Sequence, residues 1–244
     1  MPRSGCCWWR ASSWRRWCTD RHPALTPHRT PERALDRVAL AVGLAAAQTA
    51  FALTFRGPRT HFWQRMTLTG LSLGSLALAV SPESRQLRIR GRDVVLGLAS
   101  AASLYATFQV GDRFARRFVP GGEGQIRDIY ALRGLRPKPE IAARLLAVVA
   151  PAEEIFWRGF VQATFARVLG RWRGAAVGTA AYGGVHIVTG NFTLVGAAGV
   201  AGAHWAALYA LGMPLGALIV SHAAWDVWIF LLQPTTGAQG AASD

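Results

Sequence analysis

Apolar residues in this chain gather in stretches far longer than a strand or one face of a soluble helix requires. The first, residues 35–55 (LDRVALAVGLAAAQTAFALTF), matches the about 20 residues that a helix needs to cross roughly 30 Å of hydrocarbon, with Asp36 and Arg37 at its mouth. Residues 66–80 form a shorter stretch, preceded by Phe62 and Trp63 as interfacial anchors, and residues 93–110 a third, bounded by Arg92 and Asp112. Residues 141–169 are long enough to tilt or to project beyond the bilayer. The stretches 174–188, 191–211 and 214–232 follow with very short links. The pattern predicts an all-α protein, a polytopic transmembrane helical bundle of about seven spans.

The formal net charge of +14 would suggest nucleic acid if it lay on a folded soluble face. Instead the arginines crowd the first 34 residues, the links between the early stretches and the segment 113–138, and no nucleic-acid-reading module accompanies them. Charges so placed orient spans and meet anionic lipid. The expected partner is therefore the lipid bilayer and not nucleic acid, and the expected location is integral and multi-pass, in the cell (plasma) membrane. A basic N-terminus favours a cytoplasmic start. The basic segment 113–138 breaks simple alternation, so either a span is miscounted or this segment lies along the interface.

No internal repeat and no linker between soluble domains is visible. The expected organisation is a basic, disordered tail over 1–34, N-terminal transmembrane helices over 35–112, an interfacial basic loop or helix over 113–140, a catalytic helical core over 141–232 and a flexible C-terminal tail over 233–244. Arg15-Arg16 has the look of a twin-arginine signal, but no apolar core or small-residue cleavage site follows at the right distance, and a basic tail or a start codon placed too far upstream is the simpler reading. Cys6, Cys7 and Cys18 match no metal spacing, which argues against a disulfide framework or a zinc site in the tail.

Ionisable side chains interrupt the last four stretches at helical spacing. A charge at membrane depth costs roughly 2.5–3.5 kcal/mol even on lenient scales, so several retained there point to a site inside the bilayer. Residues four apart share a helix face while neighbours diverge by about 100°. Glu154 can therefore pair with Arg158, leaving Glu153 aimed elsewhere and free to face a cavity; a buried ion network without chemistry is the bland alternative. His186 stands four residues after Tyr182, where Gly183 and Gly184 would admit a neighbouring helix. His222 and Asp226 share a face, and a carboxylate there can fix an imidazole's tautomer or join it on a metal. His204 has no companion at helical spacing and reads as a packing residue. The chain contains no His-Glu-x-x-His motif, no nucleophile elbow and no phosphate-binding glycine loop, which leaves Glu and His acting on water.

Glu153-Glu154-x-x-x-Arg158, Tyr182-x-x-x-His186 and His222-x-x-x-Asp226, in this order and in separate apolar stretches, resemble the three motifs of the CPBP intramembrane protease family. That family includes type II CAAX prenyl endopeptidases and bacteriocin-processing or immunity proteins. The resemblance covers residues 141–232 and implies peptide-bond hydrolysis within the membrane, on a membrane-associated peptide or protein. It implies that Glu153 and His186 activate water and that His222 and residue 226 stabilise the oxyanion, with Glu154, Arg158 and Tyr182 in support. Two departures stand out: Tyr182 replaces the usual Phe, and Asp226 occupies a position that is Asn in many members. An ionised Asp226 would repel an oxyanion. It is therefore protonated, or orients His222, or joins Glu153, His186 and His222 in holding a divalent metal such as zinc. The rival readings are a non-proteolytic peptide-binding or immunity protein and a proton-coupled transporter, although a transporter would more often show a repeated half or broken helices.

Overall fold

The computed structural model describes residues 30–235, and among them every regular element is helical. Residues 1–29, with Cys6, Cys7, Cys18 and Arg15-Arg16, and residues 236–244 lie outside the described residues. Helix α1 spans Thr30–Arg56, α2 Phe62–Val80 and α3 Gly91–Phe118. A short helix α4, Gly122–Ala131, leads through a 3-10 turn at Leu132–Leu135 to α5. Helix α5 runs without a break as Lys138–Arg144, a π-helical stretch Leu145–Val149, Ala150–Glu154, a second π stretch Ile155–Gln162, and Ala163–Leu169. Helix α6 is Arg171–Val185, closed by a 3-10 turn at His186–Thr189; α7 is Phe192–Ala210; α8 is Leu215–Val227, extended by a π turn at Trp228–Leu232.

Local chemistry sets these boundaries. The Asp93 carboxylate accepts the backbone N–H of Arg90 at 3.0 Å and so satisfies a donor at the mouth of α3. Asn191 does the same for α7, accepting from Leu194 N–H at 2.8 Å. Between α5 and α6 the chain turns at Gly170, whose φ of +84° an L side chain rarely adopts. Beyond the expected boundary at residue 112, α3 continues to Phe118: Arg116 pairs with Asp112 one turn back at 2.8 Å, and no proline intervenes before Pro120.

Each of the predicted apolar stretches contains helix, but among the described residues four helices are long and apolar enough to cross a membrane: Leu35–Arg56, Gly91–Phe118, Phe192–Ala210 and Leu215–Leu232. The other stretches fall short for physical reasons. Helix α2 carries Gln64 and Arg65 in its first turn, α6 has 15 residues and is only about 22 Å long, and α5 is interrupted by Glu140, Arg144 and the Glu153–Arg158 cluster. The outer faces of α1, α2 and α3 present leucines such as Leu53, Leu68 and Leu98.

Helix α5 occupies the centre, with α2, α6 and α8 packed around it, while α3 lies along α8 and α6 along α7. Phe156, Trp157, Phe160 and Val161 of α5 are buried against Phe51, Met66, Tyr182 and Ile219. Its second π stretch leaves backbone carbonyls without their regular helical partners. The buried loop serines between α2 and α3 serve two of them: Ser81 Oγ donates to the Gly159 carbonyl at 2.8 Å and Ser84 Oγ to that of Ile155 at 3.0 Å.

Candidate active site

Glu153 and Glu154 close the short α-helical stretch between the two π segments of α5, and consecutive helix positions point them in different directions. Glu154 is fully buried. Its Oε1 accepts from Arg158 Nη1 at 3.0 Å along the same helix and from His222 Nδ1 of α8 at 2.8 Å. Arg158, also buried, donates to the Gly202 carbonyl of α7 at 3.2 Å. The guanidinium lies over two aromatic rings, 4.8 Å from the Tyr182 centroid and 5.4 Å from that of Trp205. These contacts compensate the buried charge from several directions, as a cation at this depth requires.

Glu153 sits on the other side of the helix with a single partner, Tyr182, whose hydroxyl donates to Oε2 at 2.9 Å. The same carboxylate lines a narrow cleft with Phe51, Met66, Thr69, Phe156 and Trp157. The ring of Tyr182 reaches this position because residue 202 is glycine: a Cβ there would stand 2.7 Å from the ring edge. A Cβ on Gly183 would in turn stand 3.4 Å from the Cα of Gly199 in α7, while among the described residues no atom of a neighbouring helix comes within 4 Å of where a Cβ on Gly184 would stand.

His186 follows α6 in the 3-10 turn. Its Nδ1 lies 2.8 Å from the Tyr182 carbonyl. A carbonyl only accepts, so Nδ1 carries the proton and the neutral ring keeps a bare Nε2. The ring stands edge-on to Tyr182 and Phe51, with centroids 5.2 and 5.1 Å away. His222 is fixed at three points: by Glu154 at Nδ1, by Asp226 Oδ2 at 3.6 Å from Nε2, and by Trp205, stacked on its face at 3.9 Å.

The named side chains of α5, α6 and α8 therefore form one connected cluster. Within it Glu153 meets Tyr182, Tyr182 meets His186, Glu154 meets Arg158 and His222, and His222 faces Asp226. Among the described residues no direct hydrogen bond joins Glu153 to either histidine. Nor do three His, Cys, Asp or Glu side chains come together as a metal-holding group. The donors are turned toward one another: His222 is held between two carboxylates and Glu153 faces a hydroxyl. Among the described residues the set Glu153, His186, His222 and Asp226 is thus not arranged as a metal centre.

Three further residues escape sequence reasoning. Trp205 Nε1 donates to Ser221 Oγ at 3.0 Å, Ser221 Oγ lies 2.8 Å from Ser100 Oγ, and Ser100 Oγ lies 2.9 Å from His204 Nε2. His204 thus has a companion after all, on α3 rather than on its own helix. This chain of hydrogen bonds holds the indole on which His222 stacks, and its one advance signal was the polarity of Ser100, Ser221 and His204 among apolar neighbours.

Residues 139–228 match the family model of the type II CAAX prenyl endopeptidases, Rce1-like. Neither a curated protein nor a solved structure matches the chain. The matched segment contains every ionisable side chain of the cluster from Glu153 to Asp226 and leaves out α1 to α4. This match thus agrees with the family that the three motifs resemble, over nearly the same residues.

Proposed function

We propose that the protein is an intramembrane endopeptidase that hydrolyses a peptide bond of a membrane-associated protein or peptide. The observation that carries this reading is the asymmetry of the paired glutamates. Glu153 is nearly buried, engaged on one oxygen by Tyr182 and open toward a cleft, while its neighbour carries the structural ion pair. A carboxylate so placed, close to an imidazole with a bare Nε2, has the makings of a general base for water. Glu153, assisted by His186, takes a proton as the water oxygen bonds to the scissile carbonyl carbon. His222 donates to the resulting oxyanion from Nε2, with Nδ1 anchored on Glu154. Collapse of the intermediate breaks the C–N bond, and the proton held by Glu153 passes to the leaving amine. Asp226, 3.6 Å from Nε2, orients His222 in this scheme and is not itself the oxyanion donor.

The same proposal places the helices of 35–112 and 141–232 at or within a plasma membrane, in about seven crossings or partial crossings, with the cluster at membrane depth. The test is cleavage of membrane-anchored peptides by the purified protein in liposomes, read by mass spectrometry. Wild-type protein is expected to release a product, and Glu153→Gln to release none while keeping its thermal transition. Intact peptide after incubation with well-folded wild type would favour binding without hydrolysis. The same assay before and after chelation examines the metal-dependent alternative, with loss of activity restored by zinc as the result that would support it.

A further inference from the structure

Helices α1 and α2 enclose a groove of about 540 Å³ that has no part in the cluster above. Ala50, Leu53 and Thr54 line it from α1, and Leu68, Thr69 and Ser72 from α2. It opens on the outer face of the bundle, where Leu53 and Leu68 are 65% and 61% exposed. Its floor is closed by two buried hydroxyls, Thr54 and Thr69, 2.9 Å apart. Its mouth, at the turn joining the helices, carries Arg56 and Arg65.

These arginines have no carboxylate partner among the described residues. Arg56 Nε donates to the Val188 carbonyl at 3.1 Å, and Arg65 Nη2 donates to that of Pro58, so both guanidinium groups are positioned by backbone and keep their full charge. Arg65 Nε is buried without a hydrogen-bond partner among the described residues. A guanidinium has five N–H donors, and a buried one left unpaired costs about 1–3 kcal/mol unless something supplies an acceptor. Residues 50 to 56 and 65 to 72 each cover roughly 10 Å of helix, giving the groove length as well as a charged end.

We propose that this groove is a binding site for an anionic phospholipid, its phosphate held by Arg56 and Arg65 and the start of an acyl chain lying between Leu53 and Leu68. The charge complementarity selects the head group, and the apolar walls, open on a face built of leucines, select a molecule already dissolved in the bilayer. Arg56 connects the mouth to the Val188 carbonyl, two residues after His186, and Thr69 also lines the cleft of Glu153. A lipid here would brace the α1–α2 hairpin against the cluster.

The test is native mass spectrometry of the full-length protein in detergent with phosphatidylglycerol or phosphatidylcholine, together with the thermal transition in each lipid. Phosphatidylglycerol is expected to remain bound and to raise the transition, with at least tenfold preference over phosphatidylcholine. The R56Q/R65Q double variant is expected to lose that preference. Ser72→Phe, which narrows the groove with both arginines in place, is expected to weaken binding of phosphatidylglycerol severalfold without lowering the lipid-free transition, and so covers the case of a misfolded double variant. Equal retention of both lipids by wild type, or undiminished retention of phosphatidylglycerol by Ser72→Phe, would overturn the proposal. So would displacement by glycerol phosphate at the lipid's own concentration, which would reduce the groove to a simple anion site.

Discussion

The two sides of α5 at residues 153 and 154 are built on opposite principles. On the Glu154 side the charge meets Arg158 and His222 through one oxygen, and two aromatic rings and a backbone carbonyl complete the surroundings of the arginine. On the Glu153 side one phenol hydroxyl is the sole hydrogen-bond donor among the described residues, and the lining of the adjoining cleft is mostly apolar. Adjacent residues of the same type thus face an ion-paired network, in which Glu154 Oε2 itself has no hydrogen-bond partner among the described residues, and a narrow cleft. The lesson is that in an apolar interior the partners, and not the residue type, decide whether a carboxylate anchors or reacts.

The sharpest way to break this contrast is to alter each side and compare activity with stability. Glu153→Gln is expected to lower the rate of peptide cleavage by roughly 10²–10⁴-fold, the range of general acid–base catalysis, with no loss of thermal stability. Arg158→Ala is expected to act in the reverse sense: it strands Glu154 and His222 and lowers stability by about 3–5 kcal/mol in chemical unfolding. If Arg158→Ala left stability intact while abolishing cleavage, the division between the two sides would be wrong. Tyr182→Phe keeps the ring beside Arg158 and removes only the hydroxyl from Glu153. The loss of one hydrogen bond to a buried carboxylate costs about 1.5–3 kcal/mol of stability, so a lowered thermal transition is expected, together with a fall in cleavage rate smaller than that of Glu153→Gln. Ser221→Ala should have the smallest effect, on the order of 1 kcal/mol of stability, because Trp205 loses its acceptor while the stack on His222 remains.

Helical spacing made part of this legible in advance. Glu154 with Arg158 and His222 with Asp226 are four apart, and the structure has both as neighbours, although the second is the longer at 3.6 Å. The closer partner of His222 is Glu154, 68 residues away, and no periodicity encodes a contact between separate helices. The link from Ser100 to His204 was hidden for the same reason. Tyr182 differs from the usual Phe by a hydroxyl, and its interest lies in where that hydroxyl points, which depends on the close approach that Gly202 permits. The all-helical character followed from the length of the apolar stretches. Length and composition do not set the number of membrane crossings, because an apolar stretch such as 66–80 or 174–188 has the same composition whether it traverses hydrocarbon or packs within the bundle.

The serines that cap the wide turns of α5 give the link between α2 and α3 an influence beyond joining two helices. Ser81 and Ser84 hold the carbonyls of residues 159 and 155, on either side of Arg158. Reshaping that link, with no change to any acid or imidazole, would let the central helix rewind and swing its arginine out of line, so that a peripheral edit would be felt at the heart of the bundle.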